Sequence, residues 1–403
     1  MAEVSAKSKA LIEQENKYGA QNYGPLDVVC AKGEGVFLYD VDGKKYMDFL
    51  SAYSAVNQGH NHPRIAEAMI GQITKLNLTS RAFRNDTFPP LLEKLCKLTG
   101  FDKALLMNSG AEAVETAIKA IRKWAYDVKG IEYPTAEIIV AEGNFHGRTT
   151  TIVGFSTDPD SNGGFGPFTP GFNIVPYGDS QSVEKAITPK TAAIFVEPIQ
   201  GEGGVVIPPK GYLKALREIA DSNKCLLILD EIQSGLGRTG KMFAFEHEGI
   251  RPDGVTIGKA LSGGFYPISA FLASKEVMDV FTPGIHGSTY GGNPLACAVA
   301  SEALDVLMEE NLIEKSAELG VHFDRLLRGM KTEKVQEIRC LGLWAGIQLK
   351  ESAGKARPYC YKLKDRGILC KDTHEQTIRL APPLTITKDQ LEWAVGQIAE
   401  VLG

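Results

Sequence analysis

Leu226-Leu-Ile-Leu-Asp230-Glu-Ile-Gln233 sets four aliphatic residues in succession ahead of a carboxylate. A strand with one wet face alternates apolar and polar residues. An unbroken run has no wet face, so it reads as a strand of a parallel sheet buried on both sides. An acid at the carboxyl end of such a strand stands where open α/β sheets place their ligands. Gly258-Lys259-Ala-Leu-Ser-Gly-Gly264 follows, with its lysine 29 residues after Asp230 and just behind the β-rich stretch Val255-Thr-Ile257. Glycines 258, 263 and 264 loosen the bend around it. An acid and a lysine at one sheet edge suit pyridoxal phosphate. The lysine carries the cofactor as a Schiff base, and the acid keeps the pyridine nitrogen protonated, so that the ring becomes an electron sink. Either half alone is weak: a lysine in a glycine-rich loop is ordinarily solvated, and strand-end acids often cap the next helix.

Outward from this stretch, apolar runs alternate with helical patterns from about residue 51 to 295, the mark of a mostly parallel sheet. The runs are Lys103–Met107, Glu137–Ala141, Ala192–Val196, Leu226–Asp230, Gly254–Ile257 and Ile268–Ala273. A helix is expected over Ala111–Tyr126, with Glu112 and Glu115 in its first turns as the helix dipole favours. Upstream, residues 1–50 read as a short helix, an irregular segment and a hairpin in which Val36–Asp40 and Lys45–Phe49 flank Asp42-Gly43. Past 296 come long amphipathic helices, Leu295 toward Met308 and Leu312–Met330, then short mixed elements and a closing helix from Lys388. The expected organisation is an N-terminal segment (1–50) packed with a small α+β domain (296–403), and a large cofactor-binding domain between them (51–295).

The composition is that of an ordinary globular protein: 403 residues, 43% hydrophobic, 23% charged, net charge −5. No basic field invites nucleic acid or an anionic membrane, so neither is expected as a partner. The seven cysteines are odd in number and lack CxxC spacing, which favours a reducing compartment and argues against a zinc site. No apolar run approaches the roughly 20 residues of a membrane-spanning helix. The first residues lack a hydrophobic signal core, and Glu3, Glu13 and Glu15 argue against an acid-poor transit peptide, so a cytoplasmic location is expected.

Several other segments ask for the same cofactor. Asn108-Ser109-Gly110-Ala111-Glu112-Ala113 puts small residues at a strand-to-helix turn, where free N–H groups and the helix dipole hold a phosphate; an N-capped helix start is the plainer reading. Ser288-Thr289-Tyr290-Gly-Gly-Asn293 offers two hydroxyls in a glycine-rich loop. In Phe145-His-Gly-Arg148 the aromatic suits stacking on a flat ring and the arginine suits a carboxylate, unless it serves a structural ion pair. Glu197-Pro-Ile-Gln-Gly-Glu202 also emerges at a strand's carboxyl end. Gly235-Leu-Gly-Arg-Thr-Gly240 matches the dinucleotide fingerprint, but Glu231–Ser234 separate it from the strand and an aromatic segment follows it, so we read it as a chance match. The seven histidines are too scattered for a metal cluster.

Taken together and in order, these motifs resemble the class III, or ω-, aminotransferases of pyridoxal phosphate fold type I, over almost the whole chain from about Tyr18. The resemblance implies a large α/β domain with a mostly parallel seven-stranded sheet plus a smaller α+β domain. It implies that Lys259 carries the cofactor and moves the proton, Asp230 pairs with the pyridinium nitrogen, Phe145 stacks on the ring and Gln233 meets its 3-hydroxyl. Ser109, Gly110 and Ala111 would bind the phosphate, joined by Ser288 and Thr289 of a neighbouring subunit, so that a homodimer shares its active sites.

Within the family, Asn22-Tyr23-Gly-Pro-Leu, Ser51-Ala-Tyr53-Ser-Ala-Val-Asn-Gln-Gly-His60 and Ile378-Arg379-Leu-Ala-Pro-Pro-Leu384 are similar to the members that act on ornithine. The implied reaction moves the δ-amino group of L-ornithine to 2-oxoglutarate in a ping-pong cycle, giving glutamate 5-semialdehyde, which cyclises to pyrroline-5-carboxylate, and glutamate. Such an enzyme must present ornithine by its distal amine yet take 2-oxoglutarate by its α-keto group. The resemblance implies that Glu202 masks Arg379 in the first case and releases it in the second. Arg148 would hold ornithine's α-carboxylate and later the distal carboxylate of 2-oxoglutarate. Tyr23 and Tyr53 would recognise the α-amino end. N-acetylornithine or 4-aminobutyrate as donor, an NAD-dependent oxidoreductase and a non-catalytic binding protein are the competing readings.

Overall fold

The computed structural model describes residues 4–403, so Glu3 lies outside the described residues. Its centre is a seven-stranded sheet in the spatial order Lys103–Met107, Ser269–Ala273, Gly254–Ile257, Leu226–Asp230, Thr191–Val196, Glu137–Ala141, Phe172–Val175. Ser269–Ala273 runs antiparallel to both neighbours; all other pairings are parallel. The fold is thus α/β with a mostly parallel sheet, as the apolar runs predicted.

Alternate residues of the central strand pack into different apolar layers, which is why its sequence does not alternate. Leu227 and Leu229 join Ile194, Val196, Val255 and Ile257 in one layer. Leu226 and Ile228 join Ala193, Phe195, Ile138 and Val140 in the other. Helix Gly110–Asp127 covers the second layer with Val114, Ala117, Ile118, Ile121 and Trp124, residues spaced to share one helical face. Each fully buried Leu or Ile contributes about 1.5–3 kcal/mol by leaving water.

The strand Phe172–Val175 was missed by the sequence reading. It is only four residues long, lies at the sheet edge and follows Pro170-Gly171, so it carries little of the apolar signal. Two boundaries also move by a residue, to Thr191 and Ser269.

Two smaller sheets flank this layer. Cys30–Glu34, Phe37–Asp40 and Lys45–Asp48 form an antiparallel ribbon whose last strand pairs in parallel with Ile368–Leu369, joining the N-terminal segment to the C-terminal region. Val335–Cys340, Ala345–Leu349, Thr377–Leu380 and Lys371–Thr373 form an antiparallel sheet. Helices Pro294–Glu309, Leu312–Arg328 and Lys388–Leu402 complete the C-terminal part. The fingerprint-like Gly235–Gly240 opens no α-helix. Its Arg238 is fully buried and donates to the Leu343 and Pro382 carbonyls at 2.9 and 2.6 Å. No helix among the described residues is long and apolar enough to cross a membrane.

Gly320, inside Leu312–Arg328, faces Gly342 so closely that a Cβ would lie 2.5 Å from the Gly342 Cα. Gly342 in turn abuts the backbone of Arg238 and Thr239. Gly396, in Lys388–Leu402, faces open space. Gly396→Ala is therefore expected to stabilise the protein by up to about 1 kcal/mol through helix propensity. Gly320→Ala should lower the melting temperature despite the same propensity gain, because overpacking costs about 1–3 kcal/mol. Thermal unfolding of the two variants checks this, and equal shifts would contradict the close contact.

Candidate active site

Parallel strands release the chain at the same edge of the sheet, and the chemistry-bearing residues collect there. Asp230 ends its strand and is 5% exposed. Its Oδ1 accepts from the Thr256 hydroxyl at 3.0 Å and the Ile232 N–H at 3.1 Å, while its Oδ2 lies 2.6 Å from Nδ1 of His146. Burial pulls the His146 imidazole toward neutrality, but the bond to Asp230 and the charges of Asp230 and Glu197 outweigh it, and the net shift is upward. The ring stacks on Phe195 with centroids 4.6 Å apart, and Nε2 is buried without a hydrogen-bond partner. Glu197, one residue past the next strand, accepts from the Phe145 N–H at 2.9 Å, and burial pushes its carboxyl up to about 7.

Lys259 follows the strand Gly254–Ile257 and has φ of 45°, a left-handed conformation rare for a residue with a Cβ. Its amine makes no hydrogen bond or ion pair among the described residues. Burial, reinforced by the Arg379 charge, lowers it from 10.5 to about 8 against the opposing pull of Glu202, Asp230 and Glu197. It faces a cavity of about 200 Å³ whose walls include Gly110, Ala111, Phe145, His146, Asp230, Ile232 and Gln233. A second hollow of about 260 Å³, lined by Asn108, Gly110 and Tyr266, shares Lys259 with it. A larger one of about 850 Å³ lies far from this chemistry, an open depression rimmed by Lys331, Lys334 and Lys350.

At the other end of the first cavity, helix Gly110–Asp127 begins. Ser109 caps it in a reciprocal box with Glu112. The Glu112 carboxylate accepts the N–H groups of both Asn108 (2.9 Å) and Ser109 (2.8 Å), so the Ser109 N–H is already engaged. The N–H groups of Gly110 and Ala111, at the first turn, have no intrahelical acceptor. Gly147, with φ of 132°, sits where a Cβ would be 2.9 Å from that of Ala111, so the chain passes close over the helix start.

Glu202 and Arg379, 177 residues apart, are in contact: Nη1 donates to Oε1 at 2.7 Å. Arg379 Nη2 donates to the side-chain Oε1 of Gln233 at 2.7 Å, and Gln233 Nε2 donates to Glu202 Oε1 at 3.1 Å, closing a three-membered ring of bonds. Burial alone would raise the Glu202 carboxyl; the charges of Arg379 and Lys259 and the bonds from Arg379 and Gln233 hold it below the usual range. The guanidinium, 1% exposed, lies between the rings of Tyr53 and Trp344, with centroids 5.1 and 5.5 Å away. Gln233 thus lines the Lys259 cavity while its amide is committed to the ion pair.

The remaining expected residues lie further out. Arg148 is exposed, with its guanidinium 5.4 Å from the Phe145 ring. Tyr23 is 74% exposed. Ser288 accepts from Asn108 Nδ2 at 3.0 Å, and Thr289 is exposed; neither lines the cavities that hold Lys259 in the same chain. His146 and Trp344 were not singled out by the sequence reading, and Glu197 was quoted without a role. His146 had a signal, since it sits between Phe145 and Arg148 in a stretch already chosen. Trp344 had none.

These residues fit pyridoxal phosphate. An unpartnered, desolvated lysine amine, a carboxylate oriented by donors, an aromatic wall and a helix N-terminus with free N–H groups converge on one cavity. Lys259 would hold the aldehyde carbon, Asp230 the ring nitrogen, and Gly110 and Ala111 the phosphate.

The comparisons with known proteins agree. The sequence model of the class-III aminotransferases matches residues 18–402. The ornithine aminotransferase of Bordetella pertussis is 57% identical over 96% of this chain and 94% of its own length. A solved ornithine aminotransferase from Toxoplasma gondii, with pyridoxal phosphate at partial occupancy in its active site, superposes with a TM-score of 0.96. It is 45% identical and spans 98% of this chain and 94% of its own. The acetylornithine aminotransferase of Elizabethkingia anophelis superposes with a TM-score of 0.89 at 48% identity, covering 98% of each chain. Matched over nearly its whole length in sequence and in fold, the chain belongs to the class-III aminotransferases, pyridoxal phosphate enzymes of fold type I.

Proposed function

We propose that this enzyme transfers the δ-amino group of L-ornithine to 2-oxoglutarate, giving glutamate 5-semialdehyde, which cyclises to pyrroline-5-carboxylate, and L-glutamate. The observation that carries the reading is the Glu202–Arg379 pair beside the Lys259 cavity, backed by relatives named ornithine aminotransferase at 57% and 55% identity. A free arginine there would bind ornithine's α-carboxylate and deliver the wrong amine. Paired with Glu202, Arg379 is masked, and ornithine is left to enter amine first. 2-Oxoglutarate, with its own α-carboxylate, replaces Glu202. The exchange is feasible because it swaps one carboxylate for another and leaves no buried guanidinium unpaired.

Bound pyridoxal 5'-phosphate supplies the electron sink that stabilises negative charge on the reacting carbon. Asp230, held by Thr256, Ile232 and His146, keeps a negative charge at the ring nitrogen. Lys259 carries a proton to and from the reacting carbon, a task suited to an amine whose pKa is near the working pH. Phe145 would stack on the ring of the bound cofactor, and Gln233 would meet its 3-hydroxyl. Arg148 takes ornithine's α-carboxylate and then the distal carboxylate of 2-oxoglutarate, and Tyr23 and Tyr53 take the α-amino end. Ser109, Gly110 and Ala111 hold the phosphate, with the N–H groups of Gly110 and Ala111 as the free donors, since both the N–H and the hydroxyl of Ser109 are engaged by Glu112. Ser288 and Thr289 complete the phosphate site of a second copy, which makes a homodimer the working unit. The reading includes a cytoplasmic location, and a division into segment 1–50, large domain 51–295 and small domain 296–403.

N-acetylornithine is the competing donor, favoured by the likeness to the Elizabethkingia enzyme. Purified enzyme supplied with 2-oxoglutarate and either ornithine, N-acetylornithine or 4-aminobutyrate decides between them. A large preference for ornithine is expected; preference for the acetylated donor would remove the assigned roles of Tyr23 and Tyr53.

Three further outcomes follow from the geometry. Lys259→Ala should leave only trace turnover, and near-normal activity would end the mechanism. Glu202→Ala should raise α-transamination of glutamate relative to δ-transamination of ornithine by roughly tenfold or more, the scale set by losing one charge-assisted bond; an unchanged ratio removes the mask. Since the neutral amine is the nucleophile and its pKa is lowered to about 8, acylation of Lys259 in cofactor-free protein should speed up as pH rises through 8. Peptide mapping of a lysine-acylating probe across pH reads this midpoint. A value near the ordinary 10.5 would show an amine that is not desolvated.

A further inference from the structure

Between the strand Lys45–Asp48 and Asn57–His60, the chain makes a turn that L-residues avoid. Ser51, Ala52, Tyr53 and Ser54 have φ of 49, 46, 59 and 72°, and Ala52 and Tyr53, with ψ of 48 and 45°, are fully left-handed. None is glycine, so each sets its Cβ against a carbonyl. Such a run persists only where the surroundings over-determine it.

The surroundings here are a buried carboxylate and a pair of cross-links. Asp48, 3% exposed, accepts the Leu50 and Ser51 N–H groups on Oδ1 at 2.8 and 3.0 Å, and its Oδ2 lies 2.8 Å from Nε2 of His60. His60 is itself fixed, exchanging backbone hydrogen bonds of 2.7 and 3.0 Å with Gly35. The turn is then tied to the strand that bears Arg379. The Ser51 hydroxyl donates to the Ala381 carbonyl at 2.7 Å, and the Ala381 N–H donates to the Phe49 carbonyl at 2.7 Å. A right-handed path through 51–54 would point the Tyr53 side chain elsewhere; the left-handed one sets its ring 5.1 Å from the Arg379 guanidinium.

We infer that Asp48 is a positioning residue for donor recognition: with His60 it holds residues 51–54 left-handed, and so fixes Tyr53 against Arg379. Asp48 lines neither cavity that holds Lys259; apart from the turn, its charge also favours the buried Arg238 guanidinium, and Asp48→Asn, which removes the charge but keeps the oxygen, separates the two effects. The inference rests on the reading of Tyr53 as a contact for ornithine's α-amino end. 4-Aminobutyrate has no such group, and the ratio of kcat/KM for the two donors isolates the effect.

The test compares wild-type holoenzyme with Asp48→Ala, Asp48→Asn and Ser51→Ala. Two readouts are taken: hydrogen exchange at Ala55 and Val56, whose N–H groups bond to the Ser51 carbonyl, and the ornithine-to-4-aminobutyrate ratio. Asp48→Ala is expected to speed exchange at both amides at least tenfold and to lower the ratio at least fivefold, through KM for ornithine with little change in kcat. Asp48→Asn retains an oxygen for the turn's N–H groups and is expected to recover most of both. If Asp48→Ala does not fold, Ser51→Ala, which removes only the bond to Ala381, carries the same readouts with about threefold effects. Unchanged exchange overturns the clamp. Faster exchange with an unchanged ratio overturns its role in recognition. A wild-type enzyme that ignores ornithine would sink the substrate reading instead, and the clamp would then stand or fall on exchange alone.

Discussion

Two-sided burial of a parallel sheet is the constraint on which the rest of this molecule depends. Because Leu226–Leu229 must meet apolar layers on both faces, the strands around it run parallel and are connected across the faces by helices. Parallel strands end at a common edge. Asp230, Glu197, the Asn144–Arg148 stretch and Lys259 therefore come together although up to 115 residues separate them in sequence. The edge is partly shielded from water, and that shielding moves Lys259 down to about 8 and Glu197 up to about 7. The sheet supplies both the positions and the electrostatics of the site.

Charge at the site is arranged so that few buried groups lack a counterpart. Asp230 is answered by His146, and Glu202 by Arg379 and Gln233. The Lys259 amine and Arg238 are the exceptions; Arg238 is a buried guanidinium bonded to carbonyls and the Asn57 side chain, with burial and the nearby Arg379 lowering it to about 9. A second cation so close makes an unpaired Arg379 costly. Were Glu202 to leave, another anion would have to take its place for Arg379 to stay buried without a large cost.

The surroundings of Arg379 are built from a different kind of order. Tyr53, Trp344 and Arg379 are brought together by a left-handed turn, a strand-to-strand connection and an interior strand of the small antiparallel sheet. Long-range hydrogen bonds join these pieces: Ser51 to Ala381, Asn57 to Leu384, Arg238 to Pro382. The Arg379 cluster therefore depends on how the C-terminal region docks, whereas the Lys259 cavity depends mainly on the central sheet.

The sequence by itself determined the sheet, because burial on both faces leaves an unbroken aliphatic run that no packing detail can hide. It also placed Asp230 and Lys259 at strand ends, since a strand's end is local information. Phe172–Val175 escaped because a short edge strand buries too little to mark itself. That Glu202 touches Arg379, that His146 lies against Asp230, and that residues 51–54 turn left-handed were decided only by the tertiary structure. Hydrophobic periodicity is written within a few residues of chain, but the approach of two charges 177 residues apart, or a backbone forced against its own preference, exists only once distant elements are packed.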